Sequence, residues 1–362
     1  MERRKFLKGA ALAGAGSALA APALAQSAKD LNIVSTWPRD FPGLGISAQR
    51  LAARIQELGQ GAFNVHYYAS GERVKAFDSF DEVASGNSQA YIAADYYWVG
   101  KDPAFAYFTT VPFGMIVDEW NAWIHYGGGQ EVWDKVSGEF GLKSFACGAT
   151  GTQAGGWFAK QINSPEDFKG LKMRIPGLGG TVMSKLGVST VSLPGGQIYQ
   201  NLVSGSIDAT EWVGPYNDYF MKFYEVTKYY YIAGMHEPNA NLAFGMNKAW
   251  WDSLSDFEKA VIQSACAEEN GRQFWETQAN NAKYLDKLVN EQDVQVAQYN
   301  DDIWDAFGDA AQEVFQETRD KSALAREVYD AFQAALRSIG GMMGQMQGTF
   351  ASQRNRVLGL DT

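Results

Sequence analysis

The chain of 362 residues carries 31 basic and 41 acidic side chains, a formal net charge of −10, and its composition is 46% hydrophobic. That much apolar material supports a packed core large enough for two domains and excludes a disordered chain. The acidic balance excludes nucleic acid as a partner bound through bulk charge, and it means that an anionic ligand needs a local positive group.

Residues 1–25 have the pattern of a cleaved export signal. Basic side chains precede a short Ala/Gly/Leu stretch, and Ala23–Ala25 supplies the small residues that a signal peptidase recognises, which makes Gln26 the first mature residue. The run Arg3–Lys8 (RRKFLK) resembles a twin-arginine signal, and an ordinary secretory signal that holds two arginines is the alternative. Both kinds of signal predict a periplasmic protein.

After the signal, helical and strand patterns alternate, which predicts an α/β fold. Apolar residues at helical spacing indicate a helix over residues 48–60, a strand follows at 63–68, and a second helix follows at 78–85. Ser164 and the proline after it indicate the start of a short helix at 164–169. Further strands are predicted near residues 90–94, 144–149, 156–159, 172–175, 188–192 and 294–299.

The pattern changes along the chain and suggests three parts. They are residues 26–152, mainly a first α/β lobe; residues 153–247, mainly a second α/β lobe; and residues 248–362, a helical region that packs on both lobes. Long helices are predicted at 255–291 and within 301–337. The tail at 339–350 is rich in methionine, which favours packing material over a ligand or metal role, with a subunit contact as a further alternative.

Cysteine and histidine are sparse. Cys147 and Cys266 stand in apolar, small-residue surroundings, which favours two buried free thiols over one disulfide in an oxidising periplasm. His66, His125 and His236 are scattered, and the sequence has no Cys-x-x-Cys motif. These patterns argue against an iron–sulfur cluster, a c-type haem or a structural zinc site.

Two polar residues stand where burial is expected to be costly. Arg174 lies inside the apolar run Lys172–Gly177, and Gln153 comes just before an aromatic strand. A buried guanidinium needs a partner, and its planar fork matches a carboxylate. From the residues alone, Arg174 either binds an anionic ligand or forms a structural ion pair with a protein carboxylate.

The segment Ile207–Tyr216 is the most unusual in the chain. It places Glu211 and Trp212 at the end of a predicted strand, where ligands collect in α/β sheets. Glu211 is therefore either a ligand group or a core carboxylate satisfied by its neighbours. Glu237 lies in a second acidic turn, which is weaker evidence.

Several of these segments resemble the signature segments of TRAP-transporter periplasmic receptors, specifically the subgroup that binds 2-oxo acids such as pyruvate together with a cation. The segments are Thr210–Tyr216 (TEWVGPY), Gly155–Phe158 (GGWF), Leu171–Pro176 (LKMRIP), Gly100–Ala106 (GKDPAFA) and Val111–Gly114 (VPFG). The resemblance runs over nearly the whole chain. It implies a two-lobed periplasmic-binding-protein-like α/β fold with a central ligand cleft, long C-terminal helices that some members exchange between dimer subunits, and a membrane permease as partner.

The resemblance also implies roles for individual residues. It implies that Arg174 binds the ligand carboxylate and that Tyr96 and Tyr97 line the pocket. It also implies that four groups surround the cation and the ligand. Those groups are the side chains of Gln153, Glu211 and Glu237 and the main-chain carbonyl of Trp212. The sequence departs from the family pattern at Trp98–Val99 and at His236, where an aromatic residue is usual.

The summed charge of the predicted site supports a bound cation independently of the resemblance. A bound carboxylate with Glu211 and Glu237 brings three negative charges, and Arg174 returns only one positive charge, which leaves a costly excess in a closed cleft. Oxygen donors alone favour Na⁺ or Ca²⁺. The prediction is a receptor without catalysis. An exported metal-dependent enzyme acting on a 2-oxo acid is the alternative, and the sequence shows no nucleophile elbow or dinucleotide loop for it.

Overall fold

The computed structural model describes residues 28–360, so the predicted export signal at residues 1–25 lies outside the described residues. Eleven strands occur in the described part of the chain. In chain order they are β1 Lys29–Ser35, β2 Phe63–Tyr68, β3 Ala90–Ala93, β4 Leu142–Ala149, β5 Gly156–Phe158, β6 Lys172–Arg174, β7 Ser189–Val191, β8 Ala209–Thr210, β9 Tyr229–Tyr231, β10 Asn241–Asn247 and β11 Gln295–Ala297.

The α-helices connect and cover these strands. They are α1 Leu44–Gly59, α2 Ser79–Ala84, α3 Val117–Tyr126, α4 Gly129–Glu139, α5 Gly177–Lys185, α6 Gly195–Val203, α7 Pro215–Met221, α8 Lys248–Asp252, α9 Asp256–Asn290, α10 Asp301–Arg319, α11 Ala323–Ala335, α12 Gly341–Met343 and α13 Thr349–Leu358. Short 3-10 segments occur at Ala76–Asp78, Asp95–Trp98, Pro103–Phe108, Pro165–Phe168 and Phe223–Glu225. The predicted helix at 164–169 is therefore a 3-10 turn.

The strands form two mixed sheets, one in each lobe. The first sheet has the order β2-β1-β3-β10-β4, and the second has the order β11-β9-β5-β8-β6-β7. Strand β10 pairs antiparallel with both β3 and β4. The prediction that residues 153–247 belong mainly to the second lobe is therefore wrong for Asn241–Asn247, because this stretch pairs with β3 and β4 in the first sheet. Strand β11 joins the second sheet from the C-terminal region.

Helix α9 links the two lobes. Ser255 begins it with a capping box, since its hydroxyl accepts from the Glu258 amide while the Glu258 carboxylate accepts from the Ser255 amide. The helix contacts α1 and β4 of the first lobe and α7 of the second. Arg50 of α1 forms ion pairs with Glu269 and Glu276 of α9. The predicted helix over 255–291 is confirmed, and it is the longest element that both lobes share.

The C-terminal segment continues as helix from α11 through two π-helical segments, Leu336–Gly340 and Gly344–Gly348, to α13. Met343 is buried, but Met342 and Met346 are 50% and 67% exposed. These two methionines therefore do not pack within this chain, and the alternative of a subunit contact stays a prediction. Among the described residues, no helix combines the length and hydropathy needed to cross a membrane.

The core of the first lobe is rich in aromatic residues. Phe108 stacks on Trp133 with ring centroids 5.3 Å apart, and Trp120 packs against both Trp123 and Trp133. Cys147 of β4 and Cys266 of α9 are buried free thiols, as their apolar surroundings favour. Burial raises the pKa of the Cys147 thiol well above its ordinary value, which keeps this thiol protonated and unreactive.

Candidate functional site

Two chain segments that cross between the lobes form the floor of a cleft. These hinge segments are residues 150–155, between β4 and β5, and residues 232–240, between β9 and β10. They hydrogen-bond to each other, since the Gln153 amide donates to the Glu237 carbonyl at 2.9 Å and the Gly234 amide donates to the Gln153 carbonyl at 2.9 Å. The pairing places the side chains of Gln153 and Glu237, both predicted site residues, where the two lobes meet.

Arg174 ends strand β6 and is fully buried. Its Nη1 forms an ion pair with Glu211, and its Nε donates to the Leu193 carbonyl at 3.1 Å. Its guanidinium lies 5.2 Å from the centre of the Trp212 ring. Nη2 has no hydrogen-bond partner among the described residues. Arg174 thus has the protein carboxylate that the structural alternative required, and it retains a free N–H edge for a second anion.

Glu211 and Trp212 follow strand β8, which runs parallel to β6, so the ends of the two strands bring Arg174 and Glu211 together. The loop is held from behind by Asp218, whose Oδ1 accepts from the amides of Val213 and Gly214 at 3.1 Å each. The Asp218 Oδ2 accepts from the Trp157 indole at 2.9 Å. This buried carboxylate fixes the backbone that presents Glu211 and the Trp212 carbonyl.

The first lobe contributes an aromatic wall. Tyr96 and Tyr97 follow strand β3, and their rings lie 4.9 Å apart at a near-right angle. Burial raises the pKa of both phenols, so they remain protonated near neutral pH. Together with Gln153 and Trp212 they line a small cavity of about 10 Å³, roughly the space of one water.

A larger hollow of about 310 Å³ also borders Trp212, and Phe41, Tyr199 and Lys222 are among its other lining residues. It is lined mainly by apolar groups, and the buried polar atoms that lack partners do not converge there. The small cavity lined by Tyr96, Tyr97, Gln153 and Trp212 is therefore the better candidate site.

Six buried polar groups around Arg174 have an atom without a hydrogen-bond partner among the described residues. They are Gln153 Oε1, Arg174 Nη2, Glu211 Oε2, Trp212 Nε1, His236 Nε2 and Glu237 Oε2. Each such atom costs free energy unless a ligand satisfies it. Burial raises the pKa of Glu237 well above its ordinary value, and the Glu211 carboxylate adds to this rise while Arg174 opposes it. A cation bound beside both carboxylates would offset this cost.

The sequence analysis missed one residue of this cluster. His236 Nε2 lies 3.4 Å from Glu211 Oε2, and one ligand atom from each of Glu211, His236 and Glu237 lies within 4.8 Å of the others. The predicted donor set contained only oxygen atoms, and the imidazole nitrogen of His236 also lies beside it. The signal was present in the sequence, because His236 stands where the family pattern has an aromatic residue.

Two α/β lobes joined by hinge segments around buried polar groups define a two-lobed solute-binding protein. The sequence model for bacterial extracellular solute-binding proteins of family 7 (DctP) matches residues 34–322, and the chain belongs to this family. The predicted resemblance to TRAP-transporter receptors and the predicted fold class are confirmed.

Similar proteins align with almost the full chain. A monocarboxylate 2-oxoacid-binding periplasmic protein of Nostoc sp. strain PCC 7120 is 35% identical over 94% of this chain and 95% of its own. A TRAP solute-binding protein of Bordetella bronchiseptica has a TM-score of 0.90 and 30% identity over 92% and 99% of the two chains. It is a mixed-occupancy dimer with copurified calcium and picolinate. A Pseudoalteromonas atlantica protein with bound sodium and pyruvate has a TM-score of 0.87 and 32% identity over 90% and 99%.

Proposed function

We propose that the chain is a TRAP-transporter solute receptor that binds a small 2-oxo or 2-hydroxy monocarboxylate, such as pyruvate, together with a cation. The observation that carries this proposal is the convergence of unpaired buried donors and acceptors around Arg174. The 2-oxoacid-binding relative and the pyruvate-bound and picolinate-bound structures support the same ligand class.

Within this proposal, the free Nη2 of Arg174 donates to the ligand carboxylate, and charge-assisted bonds of this kind are the strong ones. Gln153 Oε1, the carboxylates of Glu211 and Glu237, and the main-chain carbonyl of Trp212 hold the cation. The cation supplies positive charge to the two carboxylates and to the acid's oxygens. Tyr96, Tyr97 and the Trp212 ring exclude water and limit the size of the ligand.

The receptor acts by binding and release, without a bond-breaking step. Ligand and cation bind on groups from both lobes and from the hinge segments, so they stabilise the closed arrangement of the lobes. The closed form then delivers the acid to the membrane permease of the transporter. This function fits a periplasmic location reached through the export signal, by the twin-arginine route that Arg3 and Arg4 favour.

A homodimer is also part of the proposal. Met342, Met346 and Phe350 are between 50% and 68% exposed along the C-terminal helical segment. Exposed apolar residues that recur at helical spacing indicate a contact surface. The Bordetella bronchiseptica relative forms a dimer.

The test is a thermal-unfolding series with pyruvate, longer 2-oxo acids and lactate, each with chelator, Na⁺ or Ca²⁺. An acid at 100 times its Kd adds about 2.7 kcal/mol to the free energy of unfolding, which raises Tm by several degrees. We expect the rise only when a cation is present. If no acid raises Tm under any cation condition, the proposal is wrong.

Arg174→Met tests the assigned carboxylate partner, and Lys172→Met is its matched control. Both residues lie on strand β6, but Lys172 is exposed and Arg174 is buried. We expect Arg174→Met to abolish the acid-dependent rise in Tm and Lys172→Met to leave it unchanged. Turnover of the acid in the same samples would favour an enzyme instead.

A further inference from the structure

Two hollows lie side by side where the lobes meet at the surface, and Pro38 and Gly196 line both of them. The first, of about 310 Å³, is the one that borders Trp212. The second, of about 460 Å³, extends along the first lobe to Lys75 and Phe77. The two hollows together are called the mouth groove below.

The walls of the mouth groove come from both lobes. The segments around Pro38 and Lys75 belong to the first lobe, and the segments around Gly196 and Lys222 belong to the second. Because each hollow has walls from both lobes, neither persists when the lobes move apart. Within the proposed function the acid and its cation stabilise the closed arrangement, so the groove is complete only on a loaded receptor.

The lining of the groove is mainly apolar, and its rim is aromatic and basic. Phe220 is 39% exposed, and Lys75 and Lys222 are exposed, one from each lobe, with Asp78 as the acidic side chain among the lining residues. Lys222 forms only a long pair of 3.6 Å with Glu225, and such exposed pairs are weak. The groove is therefore positive on a chain whose net charge is −10. It fits a protein segment that has an apolar side chain beside acidic ones.

Gly196 keeps the groove open. A side-chain carbon there would meet no atom within 4 Å, and the backbone of Gly196 lies outside the left-handed region. Its neighbour Gly195 differs, since a side-chain carbon there would lie 2.3 Å from the Trp212 ring. The fold therefore requires glycine at Gly195 but not at Gly196, where a side chain would only fill the groove.

We propose that the mouth groove is the docking surface for an extracytoplasmic segment of the membrane permease that carries an apolar side chain next to acidic residues. This inference rests on the proposed receptor function and identifies the surface by which the loaded receptor is recognised. A groove that forms only on closure lets the permease distinguish the loaded receptor from the empty one, because it binds the closed arrangement alone. A permanent dimer contact does not need a surface that is lost whenever the ligand leaves.

Gly196→Phe tests the docking surface, since it fills the groove without a steric clash. Gly138→Phe in α4 is the matched control, because a side-chain carbon there also meets no atom within 4 Å and Gly138 lines neither hollow. Titration calorimetry measures the Kd of pyruvate for the full chain, and cells that contain the receptor and its permease report the uptake of ¹⁴C-labelled pyruvate. We expect Gly196→Phe to lower uptake at least roughly tenfold, as the loss of an anchoring contact does, with a Kd within about twofold of wild type. Gly138→Phe should change neither.

The charge of the rim is tested by Lys75→Glu combined with Lys222→Glu. Lys160→Glu is the control, since Lys160 is an exposed lysine of the second lobe that lines neither hollow. We expect the combined variant to lower uptake with an unchanged Kd for pyruvate, because like charges then face the acidic segment.

Uptake by Gly196→Phe at the wild-type rate would overturn the docking surface and leave the receptor function standing. A Kd that rises in step with the loss of uptake would also overturn it, since the groove would then belong to ligand binding. A change of oligomeric state in light scattering would assign the groove to a second copy of the chain instead. Absence of pyruvate binding in the wild-type protein would overturn the receptor function itself.

Discussion

Each lobe has one buried carboxylate directly behind the site. Asp218 holds the loop after β8 through two backbone amides, and Asp95 anchors the segment after β3 to two side chains. Asp95 is fully buried, and its two oxygens accept from the Tyr91 hydroxyl at 2.9 Å and from the Trp133 indole at 3.0 Å. Both partners are neutral, so burial raises the pKa of Asp95 to about 7.

This raised pKa makes stability depend on pH in an unusual direction. Between the ordinary value of 3.8 and about 7, folded Asp95 keeps a proton that the unfolded chain has lost. The free energy of unfolding therefore falls as pH rises through this window, by up to about 1.4 kcal/mol per pH unit from this group. Above pH 7 the effect levels off.

Asp95→Asn tests this dependence, because asparagine can accept from Trp133 with its oxygen and donate to Tyr91 with its nitrogen. We expect the variant to be less stable than wild type at pH 5, and the difference to shrink by pH 7.5. Urea unfolding at both pH values measures the difference in the free energy of unfolding. A difference that stays constant would contradict the raised pKa.

At the scale of elements, a hydrogen bond between α7 and the segment before α1 joins the lobes across the mouth of the cleft. Asn217 of α7 donates from Nδ2 to the Pro42 carbonyl at 2.6 Å, and Asn217 is 1% exposed. Gly43 has φ of 76°, and a side-chain carbon there would lie 2.5 Å from Asn217 Nδ2. The Phe41 ring meets the Trp212 ring edge-on at 6.2 Å beside this bond. These contacts exist only when the lobes are close together.

We expect Asn217→Ala to weaken pyruvate binding about fivefold, which corresponds to one hydrogen bond of about 1 kcal/mol, because the closed arrangement loses this bond. Titration calorimetry measures the affinity. Asn201→Ala is the control, since Asn201 donates to Gln197 within α6 and does not cross between lobes. Equal affinities in the two variants would show that the bond does not stabilise closure.

At the scale of the whole molecule, the exposed C-terminal helix α13 predicts self-association. Phe350→Asp places a charge among the exposed apolar residues, whereas Ser352→Asp places the same charge on the opposite side of the helix. We expect light scattering to give a dimer for wild type and Ser352→Asp and a monomer for Phe350→Asp. A monomeric wild type at micromolar concentration would contradict the proposed dimer.

Local signals explain what the sequence predicted well. Helix α9 has a capping box at Ser255 and sustained helical periodicity, and Arg174 was found because a charge inside an apolar run needs a partner. The features that the sequence did not predict depend on pairing between distant segments. Strand β10 reads as an apolar run without any indication of its sheet. His236 was set aside as a scattered histidine because only the fold brings it next to Glu211.

The position of β10 between β3 and β4 has a consequence for biosynthesis. When only residues 28–149 have left the ribosome, the first sheet lacks its fourth strand, and β4 has no neighbour to pair with. The edges of β3 and β4 stay unpaired until about 90 more residues have been synthesised, and long-range pairing of this kind is slow. The first lobe therefore cannot mature ahead of the second during synthesis. We expect the two lobes to fold as one cooperative unit and an isolated fragment 28–152 to aggregate through its open edges.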